Sequence, residues 1–128
     1  MMDYFVGQMA VCTRIFTEED VKNWGTFTKG MNIIDESIVD GERKIQIPTL
    51  IYEGFISELI SSQLPGQPCV MMQKELLFVH PVYGGNAITV NIEVIDVISE
   101  RKWLTEKVVC TNESGLIVMK GQVVLKIL

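Results

Sequence analysis

The feature that most constrains the fold of this chain is a change of hydrophobic period near Cys69. Before that residue, apolar residues at helical spacing predict a helix from Thr49 to Gln63, which Leu64-Pro65-Gly66 ends. After it, segments rich in β-branched residues and separated by turn residues predict four strands, over 70–79, 87–98, 103–111 and 116–125. One apolar helix and a run of antiparallel strands predict an α+β fold, with the sheet wrapped around the helix.

The residues before this helix give a weaker pattern. Gln8–Phe16 carries β-branched and aromatic residues and predicts a first strand. Thr17 is a good N-cap for a helix with three acidic residues in its first turn, running to about Trp24 and ending near Gly25. From Thr26 to Ile47 the sequence predicts turns and a short helical piece, with Asp40-Gly41 as a tight turn.

Length and charge exclude several classes of protein. With 128 residues, the chain is expected to form one domain over 1–128. Its 11 basic and 16 acidic residues give a net charge of −5 without any long basic run, which argues against nucleic acid as a partner. The sequence has no stretch of about 18 apolar residues and no signal-peptide pattern, so we expect no membrane association and a cytoplasmic location.

The cysteines and the histidine do not predict a metal site. Cys12, Cys69 and Cys110 are far apart, and His80 is the single histidine. Zinc sites usually need four ligands with short local spacings, so no metal is expected. The three thiols are instead predicted to lie in the core of a protein from a reducing compartment, and His80 is predicted to be a structural or surface residue.

Three segments resemble the MaoC-like family of hot-dog-fold hydratases. Residues 13–21 resemble the family's opening strand and first helix. Leu64-Pro65-Gly66 and residues 77–88 resemble its "LPG … FxxPVxxGDxI" stretch, in the same order and with similar spacing. The resemblance implies a hot-dog fold, a dimer and a lyase of fatty acid metabolism that adds water to trans-2-enoyl-CoA with R stereochemistry.

The catalytic motif of that family is altered here. The family uses an Asp and a His, five residues apart, in a stretch written Ser-Gly-Asp-x-Asn-Pro-x-His. The matching run is 28–35, in which Gly30 holds the Asp position, Asn32 holds the Asn position and Asp35 holds the His position. Asp35 can replace the missing group only if burial raises its pKa toward neutrality; otherwise it is a solvated acid.

The family resemblance also implies a substrate site on the long helix. The family's "HG" at the start of that helix is matched here by Glu53-Gly54, so the Gly54 amide is expected to polarise a thioester carbonyl. Tyr52 and Phe55 flank this glycine and are predicted to line an acyl tunnel or, more simply for Phe55, to pack in the core. Hot-dog thioesterases often carry a carboxylate on this helix, which makes Glu53 and Glu58 alternatives for hydrolysis, although Glu53 is equally explained by the helix dipole.

Three functions therefore stay open. The first is an acyl-CoA-type thioester-binding protein with weak or altered hydratase activity. The second is a thioesterase that uses Glu53 or Glu58. The third is a non-catalytic subunit of a heteromeric dehydratase, paired with a relative that carries the Asp/His dyad. All three imply an acyl-CoA or acyl-carrier thioester as ligand, no other cofactor, and a homodimer or heteromer.

Overall fold

A computed structural model describes residues 3–28, 35–39 and 41–128, with the backbone alone for 25–28 and 35–39. These described residues form two helices and seven strands: β1 (Met9–Ile15), α1 (Glu18–Thr28), β2 (Asp35–Val39), β3 (Glu42–Gln46), α2 (Thr49–Ser62), β4 (Cys69–Phe78), β5 (Ala87–Ile98), β6 (Trp103–Thr111) and β7 (Ile117–Ile127). A single 3-10 turn, Ser99–Arg101, joins β5 to β6.

Five of the strands form one antiparallel sheet in the order β1-β5-β6-β7-β4, and β2 pairs with β3 in a separate hairpin. Strands β1 and β4 are therefore the two edges of the large sheet. The sequence predicted the bounds of β5 and β6 correctly and those of β1, β4, β7 and α2 within about two residues. The α+β architecture predicted from the change of period is confirmed.

The core lies between α2 and the inner face of the sheet. Strand β5 alternates as predicted, because every second side chain of a strand points to the same face. Its Ile88, Val90, Ile92 and Val94 are completely buried. Helix α2 contributes its own buried residues to the same cluster, namely Tyr52, Phe55, Ile56, Leu59 and Ile60. Burial of this apolar surface is the main stabilising contribution that positions α2 across the sheet.

The end of α2 matches its sequence signals. The Gln63 N–H donates to the Leu59 carbonyl at 2.9 Å, and the Gly66 N–H donates to the Ile60 carbonyl at 3.0 Å. Gly66 has a φ of +70°, a conformation that side-chain-bearing residues rarely adopt. The glycine of Leu64-Pro65-Gly66 therefore closes the helix through its backbone.

Two predictions for the first half of the chain are wrong. Helix α1 continues through Gly25 to Thr28, because one glycine costs a helix only about 1 kcal/mol and does not end it alone. The region 26–47, predicted as turns, contains the hairpin of β2 and β3, in which Val39 pairs with Glu42. These strands have five residues each and a charged run, so no clear period of two marks them. Of the predicted Asp40-Gly41 turn, Gly41 has a φ of +79°, and Asp40 lies outside the described residues.

The cysteine prediction is correct in part. Cys110 is completely buried, as expected of a core thiol, whereas Cys12 and Cys69 are only half-buried. All three are free thiols. In the described part of the chain, no helix is both long and apolar enough to cross a membrane.

Candidate functional site

The start of α2 presents backbone N–H groups. The helix follows Pro48, whose side chain makes no capping hydrogen bond, and the Ile51 N–H donates to the Pro48 carbonyl at 3.0 Å. The first N–H groups of a helix have no acceptor within it. No described residue accepts a hydrogen bond from the N–H of Thr49 or Leu50. Together with the positive end of the helix dipole, these two groups can bind a carbonyl or oxyanion oxygen.

The hairpin of β2 and β3 leads into this helix start. The Ile47 N–H donates to the Val82 carbonyl at 2.7 Å, and the Gly84 N–H donates to the Ile45 carbonyl at 2.8 Å. Residues 82–84, which follow β4, thereby hold the end of β3 in place just before Pro48. The backbone hydrogen bonds of this segment position the start of α2.

The backbone of Asp35 lies in the β2–β3 hairpin, which leads into the same helix start. Asp35 is the first residue of β2 and pairs with Gln46, which precedes Thr49 by three residues. Three residues span at most about 10 Å and the strand pair adds about 5 Å, so the backbone of Asp35 lies within about 15 Å of Thr49. The side chain of Asp35 lies outside the described part of the structure, and so do Gly30 and Asn32 entirely.

The expected position of Gly54 is wrong. Gly54 is the sixth residue of α2, and an α-helix pairs the N–H of its sixth residue with the carbonyl four residues earlier. Its amide is therefore not a free donor. The match of Glu53-Gly54 to the start of the family's helix conflicts with the helix start at Thr49, which the same sequence predicts. The free amides belong to Thr49 and Leu50 instead.

Gly54 faces an open cleft between α1 and α2. The cleft holds about 280 Å³, and a Cβ atom at Gly54 would meet nothing within 4 Å. Arg14, Phe55 and Glu58 form part of its wall. The missing side chain of Gly54 therefore leaves open space at the surface, and no neighbouring atom packs closely against this glycine.

Glu58 is held by an ion pair. Arg14 donates to both of its carboxylate oxygens, at 2.6 and 2.9 Å, and the guanidinium lies 4.5 Å from the centre of the Phe55 ring. The hydrogen bonds from Arg14 lower the pKa of Glu58, and the same contact raises the pKa of Arg14. A carboxylate with a lowered pKa is a poor general base near neutral pH. This geometry argues against Glu58 as the catalytic group of a thioesterase.

Glu53 lies in a more shielded position. Its side chain is 15% exposed and forms an ion pair with Lys74 of β4, with 3.2 Å between Oε1 of Glu53 and Nζ of Lys74. This contact joins the second turn of α2 to the edge strand of the sheet. Glu53 is therefore a fixed carboxylate close to the start of α2.

Tyr52 and Phe55 are both core residues. They are 1% and 3% exposed, and the Tyr52 ring packs edge-on against Phe78, with 5.8 Å between the ring centres. Burial, followed by the charges of Cys110 and Glu53, raises the pKa of Tyr52 to about 12. The core-packing prediction for Phe55 is confirmed, and the tunnel role of both residues stays a prediction.

Sequence reasoning missed Glu106. This residue is completely buried on the inner face of β6, and neither of its carboxyl oxygens has a hydrogen-bond partner. Burial raises its pKa to about 8. Its neighbours in the sheet are Val94 of β5 and Val123 of β7. Alternation with Leu104 and Val108 was the signal that could have placed it inside, but a glutamate between Thr105 and Lys107 resembles a surface residue.

Two other predictions concern residues away from α2. His80 is exposed and donates its backbone N–H to the Val118 carbonyl at 3.3 Å, as expected of a surface histidine. Among the residues that the structure describes, no cluster of three or more His, Cys, Asp or Glu side chains could hold a metal ion.

Comparison with known proteins identifies related chains. No family model matches the sequence. An (R)-specific enoyl-CoA hydratase of Rhodospirillum rubrum is 30% identical over 73 residues, which are 57% of this chain and 50% of that protein. The match thus spans about half the length of this relative.

Solved structures share the fold. An (R)-hydratase from A. caviae involved in PHA biosynthesis superposes over 100% of both chains with a TM-score of 0.87 and 21% identity. The ChsH1-ChsH2 complex of Mycobacterium tuberculosis contains a chain with a TM-score of 0.79 and 19% identity, over 97% of this chain and 98% of that one. A hypothetical thioesterase protein from Streptococcus pneumoniae TIGR4, solved with coenzyme A, has a TM-score of 0.63 and 15% identity, over 98% and 82%. The hot-dog fold expected from the sequence is confirmed.

Proposed function

We propose that this chain binds acyl-CoA-type thioesters at the start of α2, because it shares its fold with an (R)-hydratase and is 30% identical over 73 residues to an (R)-specific enoyl-CoA hydratase. The observation that carries this proposal is the pair of free backbone amides, Thr49 and Leu50, at the positive end of an exposed helix start. A thioester carbonyl gains negative charge when its acyl group forms an enolate, and fixed N–H donors stabilise that charge. This interaction needs no side chain.

Thr49→Pro tests the role of the amide directly. Proline at the first position of a helix is well tolerated, because the missing N–H has no acceptor within the helix. Pro48 has a ψ of 139°, which suits a residue that precedes proline. The variant should fold normally and bind a short enoyl-CoA about fivefold more weakly, in line with the loss of one hydrogen bond of about 1 kcal/mol.

Calorimetry measures the affinity for the enoyl-CoA, and two variants serve as controls. Thr49→Ala keeps the amide and should bind like the wild type. Gly54→Ala changes a residue whose amide lies inside the helix, and it should also leave binding unchanged. Equal affinities of the Thr49→Pro and Thr49→Ala variants would exclude the helix start as the thioester site.

We propose that the hydratase activity of the chain is weak or altered. In the matched motif, Gly30 supplies no side chain, and Asp35 stands where the family has a histidine. General acid–base catalysis contributes about 10²–10⁴-fold for each positioned group. The amides at the start of α2 can bind and polarise a thioester without this dyad, but they cannot deliver a water molecule or its proton.

Hydrolysis of the thioester is a second candidate reaction, and Glu53 supports it. This carboxylate is shielded and fixed by Lys74 near the start of α2. Hydration of an enoyl-CoA leaves the thioester intact, whereas hydrolysis releases free CoA thiol, so a thiol assay separates the two reactions. If the chain is a thioesterase, Glu53→Gln should remove thiol release and leave thioester binding in place.

We also propose that the active form is an assembly through β4. This edge strand and the residue after it expose six apolar side chains: Val70, Met71, Met72, Leu77, Phe78 and Val79. An unpaired strand edge of this kind favours pairing with another chain. A second copy is the proposed partner, and a relative that carries the dyad is the alternative, supported by the heteromeric composition of the ChsH1-ChsH2 complex.

A further inference from the structure

The cleft between α1 and α2 begins at the same helix turn as the proposed thioester site. It holds about 280 Å³, and its apolar wall is formed by Phe16, Trp24, Leu50, Ile51 and Phe55. Leu50 therefore contributes one of the two N–H groups at the start of α2 and also a part of this wall. A ligand held at the start of α2 can enter the cleft along the helix surface without crossing the sheet.

The cleft follows one stripe of α2. Leu50, Gly54 and Glu58 line it at a spacing of four residues, which places them on the same face of the helix. From Leu50 to Glu58 the helix rises by about 12 Å. Gly54 is in the middle of the stripe, where a Cβ atom would meet nothing within 4 Å. The glycine therefore keeps the middle of an elongated cleft open.

The aromatic side of the cleft is fixed by core packing. Phe16 and Phe55 are both buried, and their rings pack edge-on with 5.8 Å between the ring centres. Leu50, by contrast, is 44% exposed at the mouth of the cleft. Covering exposed apolar surface next to a fixed wall favours the binding of an apolar group.

The charged groups of the lining already have partners within the protein. Arg14 donates to both carboxylate oxygens of Glu58 at the far end of the stripe, at 2.6 and 2.9 Å. The carboxylate of Asp20 accepts a hydrogen bond from the Thr17 N–H at 2.8 Å, at the start of α1. A charged ligand would have to compete with these contacts, whereas an alkyl chain needs only the apolar wall.

We propose that this cleft binds the alkyl chain of a medium-length acyl thioester, with about ten carbons as the best fit. The inference rests on the proposed function, because it names the acyl group of the thioester that binds at the start of α2. A zigzag chain of about ten carbons, with bonds of about 1.5 Å, is as long as the stripe from Leu50 to Glu58. A longer chain would reach the Arg14–Glu58 ion pair and remove water from it, which is unfavourable for charged groups.

The test measures the affinities of saturated acyl-CoAs, which cannot be hydrated, by calorimetry. Complete burial of one CH₂ group improves binding about fourfold, and an open cleft covers each group only in part. The wild type should therefore bind decanoyl-CoA at least about tenfold more tightly than butyryl-CoA. Dodecanoyl-CoA should bind no more tightly than decanoyl-CoA, because its chain extends to the ion pair.

Gly54→Leu places a side chain in the middle of the cleft. The variant should fold, because leucine is a better helix former than glycine and its Cβ meets no neighbour. It should bind decanoyl-CoA at least about tenfold more weakly than the wild type does. Its affinity for butyryl-CoA should be unchanged, because Gly54 lies about 6 Å beyond Leu50 along the helix and the short chain ends before it.

Ser61→Leu is the matched control. Ser61 is exposed on α2 and lies outside the set of residues that line the cleft. The substitution adds the same apolar side chain to the same helix, so it reveals any unspecific effect of a surface leucine on acyl-CoA binding. This variant should keep the whole gain in affinity from butyryl-CoA to decanoyl-CoA.

The outcomes separate the inference from the proposed function. If butyryl-CoA binds but affinity does not rise with chain length, or if Gly54→Leu keeps the rise, the cleft is not the acyl site and thioester binding stands. If Gly54→Leu loses the rise but Thr49→Pro binds like Thr49→Ala, the cleft binds alkyl chains and the helix start is not the thioester site. If no acyl-CoA binds, both proposals are wrong.

Discussion

At the scale of single residues, the most consequential side chain is one that has no partner. Glu106 is completely buried among apolar neighbours, and its pKa is raised to about 8 by that burial. In the unfolded chain the same carboxyl ionises near its ordinary value of 4.5. Between these two pH values, the folded state keeps a proton that the unfolded state releases. The free energy of unfolding should therefore fall as pH rises from about 4.5 to about 8.

Glu106→Gln removes this titration while it keeps the size of the side chain. The variant should be more stable than the wild type by about 3 kcal/mol at pH 7, with a smaller difference at pH 5. Thermal unfolding across this pH range is the measurement. Glu100→Gln, on an exposed turn, is the control and should follow the wild type. A gain in stability that did not vary with pH would mean that Glu106 titrates alike in the folded and unfolded states, so that burial does not raise its pKa.

At the scale of elements, the most informative strand is β4. It is an edge of the large sheet, and it exposes apolar side chains that most edge strands avoid or protect with charges. Pairing of β4 with a second copy would satisfy its free N–H and C=O groups and cover these side chains. The other edge strand, β1, supplies a comparison within the same molecule.

Met72→Lys and Met9→Lys form a matched pair of tests for this interface. Met72 on β4 is 52% exposed, and Met9 on β1 is 53% exposed, so the two substitutions have similar effects on the monomer. Light scattering should give twice the chain mass of 14.4 kDa for the wild type and for Met9→Lys, and the chain mass alone for Met72→Lys. A wild-type mass of a single chain would rule out the homodimer and leave the heteromer. Dissociation by Met9→Lys instead would move the interface to β1.

At the scale of the whole molecule, the sequence predicted the strands that follow α2 because hydrophobic alternation and turn residues mark them locally. It did not predict the β2–β3 hairpin, whose strands of five residues carry the charged run from Glu42 to Lys44. The likeness of Glu53-Gly54 to the family's "HG" led to the prediction of a free amide at Gly54. The apolar spacing had already indicated that the helix begins at Thr49, where the structure places its start.

The open groove on the outer face of the sheet, lined by Lys107 of β6 and Lys120 of β7, could not be predicted without strand pairing and register. These two lysines lie on different strands, and the sequence contains no basic run that would bring them together. Glu106 was missed for a related reason, since its burial follows from the position of β6 in the middle of the sheet and not from its own polarity. Local patterns predict elements well, whereas clusters of charged residues depend on how the elements are arranged.

The activity of the whole molecule can be tested by restoring the dyad. The double variant Gly30→Asp/Asp35→His should hydrate crotonyl-CoA at least about 10²-fold faster than the wild type, because it supplies both proton-transfer groups of the family motif. The decrease in the absorbance of the enoyl thioester, whose conjugated double bond is lost on hydration, measures the rate. Asp35→Asn alone is the control. Rapid hydration by the wild type, unaffected by Asp35→Asn, would show that other residues catalyse the reaction.

The buried carboxyl of Glu106 also affects how the protein can be handled in solution. Its contribution to folding is most favourable at acidic pH, yet the calculated isoelectric point of the chain is about 4.8. Near that pH the net charge vanishes, and repulsion between molecules no longer opposes precipitation. Conformational stability and colloidal solubility therefore have opposite pH preferences in this protein. We therefore expect a buffer of about pH 6–7 to keep the protein both folded and soluble.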